Sequence, residues 1–264
     1  MSDNARPAPT RRLHMKRIIQ LTAMLGALAL SACGGNPAPE PSFDAAAQAR
    51  TAKLASANAD CAGPDREKTL ITLETPDHEL TVGYPIGQGD TAVILLHEAE
   101  AGLCQWVPYA QDLATQNIRS LPIDIGDSTS WRYAVAAATY LRNTGAKKLI
   151  IIGASRGGTM ALQAASQIQP PVDGVVTLSA PATYSGVDGR AAAKTLTMPV
   201  LIAAGIREGG FTEDAKTLYD LCPSSHKTLR LPGTSVHGVE LLFHLKEVLP
   251  IFLNSQAATL PAVQ

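Results

Sequence analysis

The pattern of the chain predicts one large α/β domain: a mixed, mostly parallel sheet with helices on both faces. Three observations carry that expectation. Continuous apolar runs such as TAVILLH (Thr91 to His97) and KKLIIIG (Lys147 to Gly153) suit strands covered on both faces. These runs alternate with stretches of helical period. One of them breaks at Gly153-Ala154-Ser155-Arg156-Gly157 and passes straight into a helix former's composition.

Taken in order, TLITLE and ELTVGY flank Pro76-Asp77 and read as a hairpin, which makes the sheet mixed. TAVILLH is the next strand, followed by a helix near Val107 to Gln116 and the strand IRSLPID ending at Asp124. A helix around Trp131 to Asn143 puts Trp131, Ala134, Val135, Ala138 and Leu141 on one face. The strand KKLIIIG leads to the serine corner and a helix from about Gly157 to Gln167. DGVVTLSAP, PVLIAAG and KTLRLPG are three further strands. A helix near Glu213 to Leu221 precedes the last of them, and one from Val239 to Leu249 follows it. Strands alternating with helices imply right-handed crossovers and a parallel core to the sheet.

The first residues are a different matter. Lys16 and Arg17 precede an apolar stretch from Ile18 to Leu30, about thirteen residues, too short for the roughly twenty that span a bilayer but suited to a secretory signal. It ends in Leu30-Ser31-Ala32-Cys33, which looks like a bacterial lipobox, where cleavage precedes a cysteine that then receives lipid. Met15 reads as a more natural start than Met1, whereas TRRLHMK (Thr10 to Lys16) faintly resembles a twin-arginine signal. The expected layout is a signal peptide over 1–32, a lipid-anchored flexible tether over 33–60, rich in Gly, Pro and Ala, and the folded domain over 61–264. The Ala-rich second half of the tether has the composition for a helical turn or two. The expected location is the bacterial cell envelope, with membrane contact through lipid on Cys33 and the domain facing periplasm or exterior.

A net charge of −1, with no basic stripe, excludes a nucleic-acid footprint. In an oxidising compartment Cys61, Cys104 and Cys222 imply one disulfide and one free thiol.

A serine hydroxyl is a poor nucleophile near neutral pH, so Ser155 at the corner needs a base, and the base needs an orienting acid. Among the six histidines, His237 in LPGTSVHGVELL follows the last strand, on the carboxyl side of a parallel sheet where ligands bind. His97 ends a strand in LLHEAEAG and reads as structural. HEAEA lacks the second histidine of a zinc-binding helix, so no metal and no cofactor is expected. The acid should follow PVLIAAG, where Glu208 comes first; Asp214 is the alternative. Glu213 and Asp214 also fit the first turn of a helix capped by Thr212.

Together, LLHEAEAGLCQWVPYAQDLATQNIRSLPIDIGDS, the GASRGG corner, PVLIAAG and GTSVHG resemble the α/β-hydrolase superfamily, over nearly all of Lys68 to Asn254. The resemblance implies an eight-stranded sheet and a serine hydrolase triad of Ser155, His237 and Glu208 acting on a small-molecule ester or related acyl substrate. It also implies an oxyanion hole formed by the backbone N–H of Arg156 and of Ala99 or Glu98. In that strand order Cys61 and Cys222 precede opposite edges, which leaves Cys104 paired with one or the other.

Three departures stand out. Glu98 occupies a position where glycine is common, Arg156 follows the nucleophile, and the acid is a glutamate. Arg156 is expected to pair with Glu98 or Glu100, unless all three point to solvent. Only about eighteen residues separate DGVVTLSAP from PVLIAAG, so a minimal cap and an open site are expected. Two other functions remain open at this level: a non-catalytic envelope lipoprotein using the fold as a binding scaffold, and an acyltransferase.

Overall fold

The computed structural model describes residues 43–126 and 131–254. The expected signal peptide and the expected lipidation site Cys33 lie outside them. The chain runs α1 (Phe43–Ser56), a 3-10 turn (Asp60–Ala62), α2 (Arg66–Thr69), β1 (Ile71–Glu74), β2 (Leu80–Gly83) and β3 (Thr91–Leu96). A 3-10 segment (Leu103–Trp106) leads into α3 (Val107–Thr115), β4 (Ile118–Ile123), α4 (Arg132–Asn143), β5 (Lys148–Ala154) and α5 (Arg156–Ala165). Then come β6 (Gly174–Leu178), a small hairpin of β7 (Thr183–Tyr184) and β8 (Val187–Asp188), α6 (Gly189–Ala193), β9 (Val200–Ala203), α7 (Gly210–Leu221) and β10 (Lys227–Arg230). A 3-10 helix (Gly238–His244) and α8 (Val248–Asn254) close the described chain.

Eight strands form one sheet in the order β1-β2-β4-β3-β5-β6-β9-β10, antiparallel at β1/β2 and β2/β4 and parallel across the rest. Alternate side chains explain the layers. Ile94, Leu96, Leu121, Ile151 and Val175 point to the face covered by α4, α5, α6 and α7. Val93, Leu95, Ile150, Ile152 and Val176 point to the face covered by α3, the last 3-10 helix and α8. All of these are essentially solvent-free, which is why their strands read as unbroken apolar runs.

Three local readings change. The stretch 43–60, expected to be tether, carries α1, whose Leu54 packs against a small core of Ala57, Ala59, Leu70, Val82 and Leu103. Arg50 of α1 also donates to Thr72 at 3.3 Å and pairs with Glu74 on β1. This helix belongs to the edge of the domain. The helix α7 starts at Gly210 instead of Glu213, so Thr212 lies inside it and does not cap it; its hydroxyl donates to the Gly205 carbonyl at 2.6 Å. The expected helix Val239–Leu249 is a 3-10 helix followed by α8, with Pro250 in the first turn of α8. Proline has no N–H to give, and only the first turn leaves that group unpaired anyway.

Cys61 and Cys104 form the disulfide, and Cys222 is free and buried. Burial pushes the Cys222 thiol up, against the pull of the Ser224 N–H and Lys227, and keeps it protonated. The bridge fastens the turn after α1 to the segment before α3 across 43 positions. Closing a loop of that size removes about 4 kcal/mol of unfolded-state entropy, so the Cys61→Ala/Cys104→Ala variant is expected to lose roughly 8–16 °C in Tm. Thermal melts with and without reductant on the wild type check the same shift.

Candidate active site

At the end of β5 the backbone turns through Ser155 at φ +51°, ψ −124°, a left-handed conformation that a non-glycine residue holds only at a cost. The flanking glycines are required by contact. A Cβ on Gly153 would lie 2.1 Å from the Gly157 carbonyl oxygen, and one on Gly157 would lie 2.3 Å from that of Leu96. Neither leaves room for a methyl group, so the turn is possible only with glycine two residues away on each side. The Ser155 N–H donates to the Leu178 carbonyl at 2.7 Å, which ties the corner to the end of β6. This is the strand-to-helix elbow that lifts a serine above a sheet edge.

Glu208 and His237 come together from the loops after β9 and β10. His237 Nδ1 lies 2.5 Å from Glu208 Oε1, with the carboxylate side chain 5% exposed and the imidazole 35% exposed. A carboxylate accepts, so the imidazole N–H is on Nδ1 and Nε2 keeps its lone pair. The other carboxylate oxygen accepts from the Gly205 N–H at 2.7 Å and the Ser179 hydroxyl at 2.9 Å. The two loops are laced together by Ile206 N–H to Pro232 O at 2.9 Å and Arg207 N–H to Thr234 O at 3.0 Å. Phe211 packs on the imidazole, ring centroids 4.5 Å apart. Asp214 lies on α7 and makes no hydrogen bond to His237 among the described residues. Ser155 and His237 are likewise not hydrogen-bonded to each other in this structure.

Glu98 N–H is occupied by the Gln105 side-chain oxygen at 3.2 Å. The N–H groups of Ala99 and Arg156 donate to no acceptor among the described residues.

Arg156 does not pair with Glu98 or Glu100, nor does it reach solvent. It is 2% exposed, its guanidinium donates to the Gly126 carbonyl, and Nη2 lies 3.5 Å from His97 Nδ1. The side chain of the first residue of α5 points back under the elbow, where β3 and β4 end. His97 is fully buried and structural: Ile125 N–H donates to Nε2 at 3.0 Å, so the proton sits on Nδ1 and goes to the Glu98 carbonyl at 2.8 Å. With Nε2 accepting, the 3.4 Å approach of Asp124 Oδ1 to that atom is not an ion pair.

Ser179 joins the site only in the fold. Wholly buried at φ +52°, it donates to Glu208 and accepts from Gly238 N–H at 2.9 Å. Its signal is a hydroxyl ending an otherwise apolar strand, TLSAP, beside the strand that carries the acid. The connection from β6 to β9 packs its hairpin and α6 against α5 and α7.

A family model described as alpha/beta hydrolase fold matches residues 109–233, which include Ser155 and Glu208 and stop short of His237. No curated protein matches the chain by sequence. Among solved structures, an esterase of Pyrococcus furiosus is similar at 15% identity and TM-score 0.59, over 72% of this chain and 91% of that one. Est1E from Butyrivibrio proteoclasticus is similar at 14% identity and TM-score 0.58, over 71% of this chain and all of that one (100%). A dienelactone hydrolase from Anabaena variabilis is similar at 19% identity and TM-score 0.53, over 62% and 85%. Strand order, elbow and these likenesses agree, and the domain has the α/β-hydrolase fold.

Proposed function

We propose that the protein is a serine hydrolase that cleaves carboxylic esters or related acyl bonds through an acyl-enzyme on Ser155. The observation that carries this reading is the His237–Glu208 pair: an imidazole whose Nδ1–H is fixed by a buried carboxylate, in the loop beyond the strand ends, on the sheet edge where an elbow serine stands. In this mechanism Nε2 takes the Ser155 proton as the oxygen attacks the substrate carbonyl. The negative charge that forms on the carbonyl oxygen is held by the Ala99 and Arg156 N–H groups. His237 returns the proton to the leaving alkoxide, leaving an ester on Ser155, and a water activated by the same imidazole releases the acid. The absent Ser155–His237 bond is compatible with this cycle, since catalytic hydrogen bonds often tighten only when substrate is bound.

A fluorophosphonate probe tests the reading. One equivalent is expected on the Ser155 peptide, with turnover of p-nitrophenyl esters that falls as the acyl chain lengthens. A well-folded protein that takes no label and hydrolyses none of the esters overturns it in favour of a binding scaffold. Transfer to an added alcohol in preference to water would mark an acyltransferase.

The chain is further proposed to act from a bacterial envelope membrane, held by lipid on Cys33. Several acyl chains hold a protein durably where one does not. In a bacterial host the wild type is expected in the detergent phase of a Triton X-114 partition and Cys33→Ser in the aqueous phase. Equal partition of both would remove the anchor.

A further inference from the structure

Glu98 stands one position past the buried His97 at the end of β3, and its N–H, its carbonyl and one carboxylate oxygen are all engaged. Its N–H goes to Gln105 Oε1 at 3.2 Å, its carbonyl accepts from His97 Nδ1 at 2.8 Å, and its carboxylate Oε1 accepts from Val239 N–H at 2.6 Å. The last of these contacts joins residues 141 positions apart. It links the loop that offers the Ala99 N–H to the turn that carries His237.

The turn is shaped for this contact. Gly238 has φ +55°, and a Cβ there would lie 1.8 Å from Glu98 Oε1, so the carboxylate occupies the space that any other residue would fill. Gly238 N–H meanwhile goes to Ser179 and Val239 N–H to Glu98. Two consecutive N–H groups at the open end of the 3-10 helix are therefore satisfied by two side chains from two different strand ends. Nothing else among the described hydrogen bonds holds these two amides. A carboxylate near a forming oxyanion is unfavourable in itself. Its presence here is explained if it does another task.

We infer that Glu98 is a positioning residue: its carboxylate latches the 237–239 turn to the end of β3 and so sets His237 and the oxyanion loop in one geometry. The inference rests on the proposed hydrolase reading for its catalytic consequence, but the latch itself is a statement about His237. The role needs an acceptor at that reach and not a charge. Glutamine supplies the acceptor; alanine and leucine do not.

Three variants, Glu98→Gln, Glu98→Ala and Glu98→Leu, are compared with wild type for kcat and KM on p-nitrophenyl acetate and for the rate of Ser155 labelling. The proton NMR signal of His237 Nδ1–H, assigned by its loss in His237→Gln, is followed in each, and thermal melts exclude unfolding. Misplacing a reacting group by about an ångström costs on the order of 100-fold, so Glu98→Ala and Glu98→Leu are expected to lose about 10- to 100-fold in kcat and labelling rate. Their KM should stay within about threefold, since no substrate contact is removed. Their Nδ1–H signal should broaden or vanish, while Glu98→Gln keeps the signal and is within about threefold of wild type in rate. Leucine, which keeps the volume, stands in if alanine unfolds the turn. An unchanged signal and rate in the folded alanine or leucine variant overturns the latch, and so does a glutamine variant as impaired as alanine. A wild type that takes no label at Ser155 refutes the hydrolase reading, and the Nδ1–H signal then still decides the latch.

Discussion

Replacing Ser155 with alanine is expected to abolish fluorophosphonate labelling and to lower kcat on p-nitrophenyl acetate by at least about 10⁴-fold, because a triad without its nucleophile keeps only binding and oxyanion stabilisation. The variant should fold. The Ser155 backbone conformation is set by the contacts of Gly153 and Gly157, not by the hydroxyl, and alanine meets the same φ of +51°. Glycine differs there. A positive φ costs a side-chain-bearing residue about 1–3 kcal/mol, so Ser155→Gly should be as inactive as Ser155→Ala but should melt at a higher temperature, less the extra chain entropy of glycine in the unfolded state. Inactivity with a raised Tm would identify the elbow as strained for the sake of the reaction. Either variant retaining more than about a hundredth of wild-type kcat would remove Ser155 from the mechanism.

Much of this arrangement was legible in the sequence because it rests on local chemistry. Continuous apolar runs suit strands buried on both faces, as β3 and β5 are, and all eight strands expected from the sequence pair in the sheet. The glycines around Ser155 announce a close backbone approach whatever the neighbours are. Position in chain order was enough to put Glu208 and His237 forward, and the structure brings these two together. What could not be read is what depends on distance in space. Glu98 and Val239 are partners across 141 positions, and no period or spacing connects them. Arg156 opens α5, and its buried guanidinium reaches the Gly126 carbonyl beyond β4, an acceptor that a charged residue in a sequence does not announce. Ser179 ends a strand like many serines, and its two hydrogen bonds appear only once β6 lies beside β9. The docking of α1 leaves little trace in the sequence because the helix is weakly amphipathic and is held by Leu54 and Arg50, next to the disulfide, instead of by a broad apolar stripe.

Glu208→Gln separates orientation from charge at the acid position. Glutamine has the same length, and its single carbonyl oxygen is claimed by the two donors already present, Gly205 N–H and the Ser179 hydroxyl. The amide nitrogen is then left facing His237 Nδ1, where the carboxylate Oε1 now accepts. A donor there can be satisfied only if Nδ1 gives up its proton, which moves the proton to Nε2. The imidazole is then held with its N–H toward the site, and it cannot accept from the Ser155 hydroxyl. The expected loss is about 10³- to 10⁴-fold in kcat with little change in Tm, since packing and backbone contacts are conserved. Asp214→Asn, on α7 and without a bond to His237, should stay within about twofold of wild type. If the asparagine variant falls as far as the glutamine one, the acid has been assigned to the wrong residue. If Glu208→Gln keeps more than about a tenth of wild-type kcat, the tautomer of His237 does not control the reaction and the pair at the sheet edge is structural.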